Sequence, residues 1–207
     1  TLRHGDLALS PKTWAHVKLG WVGVIDSLKS LLETGEPLPV VDDDAGVGTR
    51  ADEIEGNWHR AQAVTANNSV WELLDGREYD GDDADELLQR AYAAAYHWKR
   101  ATGSGPINMA RASWLLSRSH AVLGHGDVAL HHADRSAGFL EQAGPDAADF
   151  DHGYAYEARA RALACLGRVA EARELYRRAA SAPVADEQDR AIFEGDLAAE
   201  PWFGLER

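Results

Sequence analysis

Apolar residues recur along this chain at helical intervals. Between 11 and 34, Trp14, Val17, Trp21, Leu28 and Leu32 follow one another at spacings of three, four and seven, the stripe of one amphipathic helix. Ser10 and Pro11 suit its start, because a serine caps free backbone N–H groups and a proline fits the first turn. Gly35 follows its last periodic residue, while Gly20 and Gly23 weaken it enough that it depends on packing. The pattern then breaks. Residues 36–56 carry Pro37, Pro39, the run Asp42–Asp44, Gly46 and Gly48, and read as an acidic linker. From 57 to 199 the spacing is helical again, with no alternation of the kind a strand needs. The expectation is an all-α chain of about seven to nine helices. It comprises an N-terminal helix (1–35), the linker (36–56), a helical domain (57–199) and a short tail (200–207).

The helical domain repeats itself. The segment 156–180 aligns on 113–137 at an offset of 43: Leu123-Gly124 falls on Leu166-Gly167, Ser117 on Ala160, His120 on Leu163, Ala129 on Ala172, and Ser136 on Ala179. Small or apolar residues thus return where two helices of a hairpin would touch. A poorer third copy joins "WELLD" (71–75) to 84–98, with Leu87, Ala91 and Ala94 as its small-residue face. The run "ACLGRVAEARELYRRAA" resembles the turn and second helix of a tetratricopeptide repeat, with Gly167, Ala172, Tyr176 and Ala179 in that motif's order. Tyr156, Ala160 and Leu163 match its first helix. The offset exceeds the family's period of roughly 34 residues, and the insertion "GPDAADFDHG" accommodates the excess. The stretch from "YHW" to "ALHHA" is also similar to uncharacterised bacterial helical proteins. The resemblance implies stacked antiparallel helical hairpins, a right-handed solenoid, with a groove that holds a peptide or partner protein.

Composition narrows the partners. A net charge of −13 disfavours nucleic acid, whose phosphates a protein must neutralise. No apolar run approaches the ~18 residues of a membrane span. A single cysteine, Cys165, excludes an internal disulfide framework and suits a reducing compartment, so the expected location is cytoplasmic. On a repeat helix that cysteine reads as a small packing residue rather than a nucleophile.

Three sets of side chains are candidates for chemistry. The first is the knot His120, His125, His131 and His132. A metal needs ligands converging on one point, whereas neighbouring histidines on a helix diverge, so neither a metal nor any other cofactor is expected. The second is His59 and His97, one on each of two consecutive helices and each beside an aromatic residue. Either could act as a general base if the helices meet in register, but with no carboxylate orienter identifiable two histidines satisfied at a helix interface fit better. The third is Arg111, Trp114 and Arg118 on one helix opposite Tyr154, Glu157 and Arg161 on the next. These six residues form either a ligand grip, arginines holding a carboxylate beside a stacking ring, or a set of inter-hairpin salt bridges such as Arg118 to Glu157 or Asp151. The segment 42–53 mimics part of a calcium loop through Asp42, Asp44 and Glu53. Gly46 and Val47 occupy the wrong places, however, and a solvated acidic segment fits better. The tail residues Trp202, Phe203 and Leu205 either cap the stack or protrude as a docking element, and capping is the norm for repeat ends.

No nucleophile–base motif is present. The expected function is therefore a non-enzymatic binding module for a peptide or protein, with a small anionic ligand as a further possibility. The alternative is an enzyme or small-molecule binder that uses His59, His97, Arg111 and Arg118 around an enclosed pocket.

Overall fold

The structure, a computed structural model, describes residues 25, 28–33, 36, 44–74 and 79–207, with residues 44–49 and 51 described through their backbone alone. The N-terminal helix read from Trp14, Val17 and Trp21 lies largely outside the described residues. Residues 28–33 are helical, with Leu28 and Leu32 exposed.

The described residues contain α1 (Asp44–Trp71), α2 (Gly81–Trp98), α3 (Pro106–Val122), α4 (Gly126–Ala143), a 3-10 turn (Gly144–Asp146), α5 (Asp149–Cys165), α6 (Val169–Ala180) and α7 (Glu187–Ala198). Among them there is no strand, so the chain is all-α as its spacing predicts. Consecutive helices pack on each other, and α3 also packs on α5.

One boundary is corrected. Helix α1 opens at Asp44, so residues 44–56 are helical rather than part of a linker or a calcium loop. Glycines and prolines dominate the reading of 36–56. Its acids, however, are also what a helix N-terminus favours, because negative charge complements the helix dipole. Tertiary packing then carries the helix: Gly56, His59, Ala63 and Val70 are buried at spacings of three, four and seven, one face turned to α2.

Local signals fix the other starts. The Asp80 carboxylate accepts from Asp83 N (2.9 Å) and Asp186 accepts from Gln188 N and Asp189 N, satisfying N–H groups that have no partner within their helices. Pro106 opens α3, and Asp151 accepts from Ala148 N at the head of α5.

The two later hairpins share one turn at an offset of 43. Gly124 and Gly167 sit at φ +76° and +72°, a left-handed conformation that L side chains resist. In the first turn Gly124 N bonds Ala121 O (2.8 Å) and His125 N bonds His120 O (2.9 Å). In the second, Gly167 N bonds Ala164 O and Arg168 N bonds Leu163 O, each at 2.9 Å. This is the C-terminal capping pattern that a glycine just past a helix permits.

Small residues let the paired helices approach. Ala129, Ala160, Ala172 and Ala179 are fully buried. In the first hairpin two serines add latches, Ser117 Oγ donating to Ala129 O and Ser136 Oγ to Ala110 O, both 2.8 Å. The third small-residue face, Leu87, Ala91 and Ala94, is also fully buried.

The C-terminal tail folds back onto α6 and α7. Trp202 is 1 % exposed, its Nε1 donates to Leu197 O (3.0 Å), and its ring meets Tyr176 edge-on; Leu205 is buried beside it.

A close crossing cannot take extra carbons. Ala172→Leu is expected to destabilise the protein by about 1–3 kcal/mol through overpacking. Chemical denaturation monitored by helical circular dichroism checks this; a variant with the wild-type midpoint would break the equivalence between Ala129 and Ala172.

Candidate functional site

The six residues expected as a ligand grip divide into two groups. Three of them, Arg118, Glu157 and Arg161, lie inside the protein at 6 %, 1 % and 1 % exposure. Glu157 Oε1 pairs with Arg161 Nε (2.6 Å) and Arg118 Nη1 (3.1 Å), and Glu157 Oε2 accepts from Trp114 Nε1 (2.9 Å). Arg161 donates onward to the carbonyls of Ala199, Pro201 and Asp196 and lies over the Trp202 ring, 4.0 Å from its centroid. It therefore fastens the tail to α5.

Burial opposes both charges. It raises the Glu157 pKa, but the guanidinium charges of Arg161 and Arg118 and the hydrogen bonds outweigh it, holding the carboxyl below its usual range. Burial also lowers Arg161 to about 10, and it stays cationic at neutral pH. Arg118 serves as an inter-hairpin salt bridge and Arg161 as an (i, i+4) partner of Glu157 within α5, and neither lines the aromatic cavity to which Trp114 contributes.

Arg111, Trp114 and Tyr154 are placed differently. They help line a cavity of about 200 Å³ together with Asn67, Trp71, Leu115, Leu140, Phe150 and Asp151. The cavity therefore draws on α1, α3, α4 and α5. Trp71 stacks on Trp114 (5.6 Å, 29°), while Tyr154 meets Trp114 (4.9 Å, 68°) and Phe150 (6.2 Å, 85°) edge-on. Arg111 is half exposed and grips Asp151 bidentately, both bonds 2.9 Å. The Tyr154 hydroxyl donates to Asp196 Oδ2 (2.6 Å), and burial, then that bond, keeps the phenol protonated.

Trp71, Phe150 and Asn67 were not legible as site residues. Trp71 opens a weak repeat copy, and Phe150 lies in an apparent loop insertion that the structure folds into the first turn of α5.

The histidine pair His59 and His97 does meet. Their Nδ1 atoms are 2.7 Å apart, a distance that requires one ring to donate and the other to accept. Gly56 makes this possible. A Cβ there would overlap the Thr102 side chain, and Thr102 N donates to Gly56 O (3.1 Å), drawing the loop after α2 onto α1. Trp58 and Tyr96 pack edge-on against the pair, and Glu55 Oε1 lies 3.9 Å from His59 Nε2. Burial, then the neighbouring His59 and Arg100, lowers the His97 pKa. The pair sits apart from the aromatic cavity.

Three of the four knotted histidines converge as well. His120 and His132 stack at 5.6 Å with a 10° interplanar angle, Tyr92 Oη lies 3.0 Å from His120 Nε2 and 3.4 Å from His132 Nε2, and His120 Nδ1 is 3.3 Å from His125 Nδ1. Tyr92, from α2, is the partner that helix spacing alone did not reveal. Among the described residues no group of three or more His, Cys, Asp or Glu side chains has a metal-binding arrangement. Cys165 is part-buried, and burial raises its thiol pKa, which weakens it as a nucleophile.

No family model, curated protein or solved structure matches this chain.

The geometry can hold an apolar group in the cavity, and it keeps its buried charges for internal use. Among the described residues no helix is long and apolar enough to cross a membrane.

Two expectations follow. Arg118→Ala leaves part of the Glu157 charge uncompensated, so unfolding titrations should show a loss of about 3 kcal/mol; an unchanged midpoint would free Arg118 for ligand binding. His132 is held at about 4, below its ordinary 6.5, first by burial and then by the charges of His120, His131 and Arg135. The unfolded chain therefore takes up this proton first as pH falls. His132 should cost no stability above pH 6.5, and the cost should grow from there to about pH 4. Thermal melts across that window should fall less steeply for His132→Gln than for wild type; equal slopes would refute the assignment.

Proposed function

We propose that the chain is a non-enzymatic helical-repeat module, of tetratricopeptide-like type, that binds a peptide or protein partner. The observation that carries this reading is the aromatic cavity lined by the first helices of successive hairpins, α1, α3 and α5, with α4 closing one side; a repeat groove takes its ligands on such first helices. At about 200 Å³ the cavity is smaller than the roughly 300–1,000 Å³ of sites that engulf a small molecule, and it suits one anchoring side chain. The 43-residue equivalence of the two hairpin turns supports the repeat. The net charge of −13 favours partners with basic flanks, attracted at long range.

The enzyme alternative asks for His59, His97, Arg111 and Arg118 around one pocket. Of these the cavity includes only Arg111, already paired with Asp151. A small anionic ligand loses support for the same reason.

Selection from a displayed peptide library against the immobilised protein tests this reading. Enriched peptides should share one bulky apolar residue with basic neighbours. Trp71→Ala should weaken them by about 2 kcal/mol, the scale of an interface anchor, with little change in melting midpoint. Failure to enrich any peptide, or peptides indifferent to Trp71→Ala, would remove the groove from the account.

A further inference from the structure

We infer that the cavity between α1, α3, α4 and α5 takes a neutral aromatic ring, a phenyl or indole side chain, presented by a peptide. This rests on the binding-module reading and specifies its ligand.

Charge comes first. The charged side chains lining the cavity are Arg111 and Asp151, and each has the other as its partner through two 2.9 Å bonds. Asp151 also accepts from Ala148 N (2.9 Å), so its carboxylate is well supplied with donors. Arg111 lies over the Phe150 ring, 5.2 Å from its centroid, and already fills the place of a cation. A ligand ammonium would meet that guanidinium, and a ligand carboxylate would meet Asp151 on a strongly acidic protein.

Three donors of the wall are also occupied. Trp114 Nε1 bonds Glu157, Tyr154 Oη bonds Asp196, and Ser136 Oγ bonds Ala110 O. These hydrogens are directed into the framework, and the lining, with Leu115, Leu140 and four aromatic rings, is mainly apolar. Asn67 has spare capacity: among the described residues its only side-chain hydrogen bond is Nδ2 to Asn68 Oδ1 at 3.4 Å, so its amide can meet an indole N–H or a peptide group.

Ring geometry selects ring over branched aliphatic. The wall is a chain of stacked and edge-on aromatic contacts from Trp71 through Trp114 and Tyr154 to Phe150. A further ring extends this series with the edge-to-face contacts that aromatic quadrupoles favour.

Fluorescence of the full chain, excited at the red edge of indole absorption, tests the inference with four probes: N-acetylphenylalanine amide, 3-phenylpropionate, phenethylammonium and N-acetylleucine amide. The neutral phenyl probe should give a saturable change and bind about tenfold more tightly than either charged one, and more tightly than the leucine amide. Asn67→Phe, which fills the mouth from a half-buried position, should abolish the change while its melting midpoint stays near wild type. If that variant fails to fold, Leu140→Phe serves the same purpose from α4. Tighter binding of 3-phenylpropionate would assign Arg111 to an acid, tighter phenethylammonium would assign the wall to a cation, and an equal leucine amide would remove the aromatic preference; each overturns the inference. So does a response that survives filling the cavity, or no saturable response at all. Should ring probes bind while no peptide is selected, the module reading fails and the ring site stands. Should selected peptides bind yet ignore the neutral phenyl probe as competitor, the ring site fails and the module stands.

Discussion

The Glu157 carboxylate is the constraint on which the rest of this structure depends. One oxygen pairs with Arg118 of α3 and Arg161 of α5, and the other holds the Trp114 indole of α3. A carboxylate buried to 1 % exposure is tolerable only when its lone pairs are met in this way. The arrangement joins two hairpins across 43 residues of sequence, from Trp114 to Glu157, the same interval that relates their turns. Through Arg161 it reaches the tail, whose carbonyls would otherwise lack these donors.

The cavity inherits its shape from this network. Trp114 is oriented by Glu157, and Tyr154 by Asp196 of α7, so two ring walls are set by bonds on the side away from the cavity. Walls fixed before a ligand arrives lower the ordering cost of binding. Trp71, at 41 % exposure, is the most exposed ring of the wall. The histidine clusters belong to another part of the fold. His59 with His97 joins α1 to α2, and His120 with His132 joins α3 to α4, each closing a helix contact with a polar group where an apolar one is usual. The lowered pKa values of His97, His120 and His132 follow, in each case first from burial.

Much of the fold was legible because it depends on spacing. Ala129, Ala172 and the Leu87, Ala91, Ala94 face are buried where the repeat alignment puts them, and Gly124 and Gly167 take the positive φ that their shared place after a helix implies. The start of α1 was not legible, since Gly46, Gly48 and three aspartates carry the composition of a loop while tertiary packing of Gly56, His59 and Ala63 sustains a helix. The candidate site was half legible. Arg111, Trp114 and Tyr154 reach the cavity, but whether Arg118 and Arg161 face solvent or Glu157 depends on which partner lies within a few ångströms, and helical periodicity does not encode that. Phe150 enters its cluster from an insertion outside the repeat alignment, and Tyr92 from the weakest repeat copy, away from its small-residue face.

Hydrogen exchange on a Glu157→Gln variant probes the network most directly. Neutralising that carboxylate leaves two buried guanidiniums short of a counter-charge and weakens the hold on both Trp114 and the tail. Amides of 196–207 and of α3 around Trp114 should then exchange faster together, while the α1–α2 hairpin keeps its wild-type protection. Unchanged protection of the tail, or loosening confined to α5, would contradict a single carboxylate that fastens the tail and sets the cavity wall.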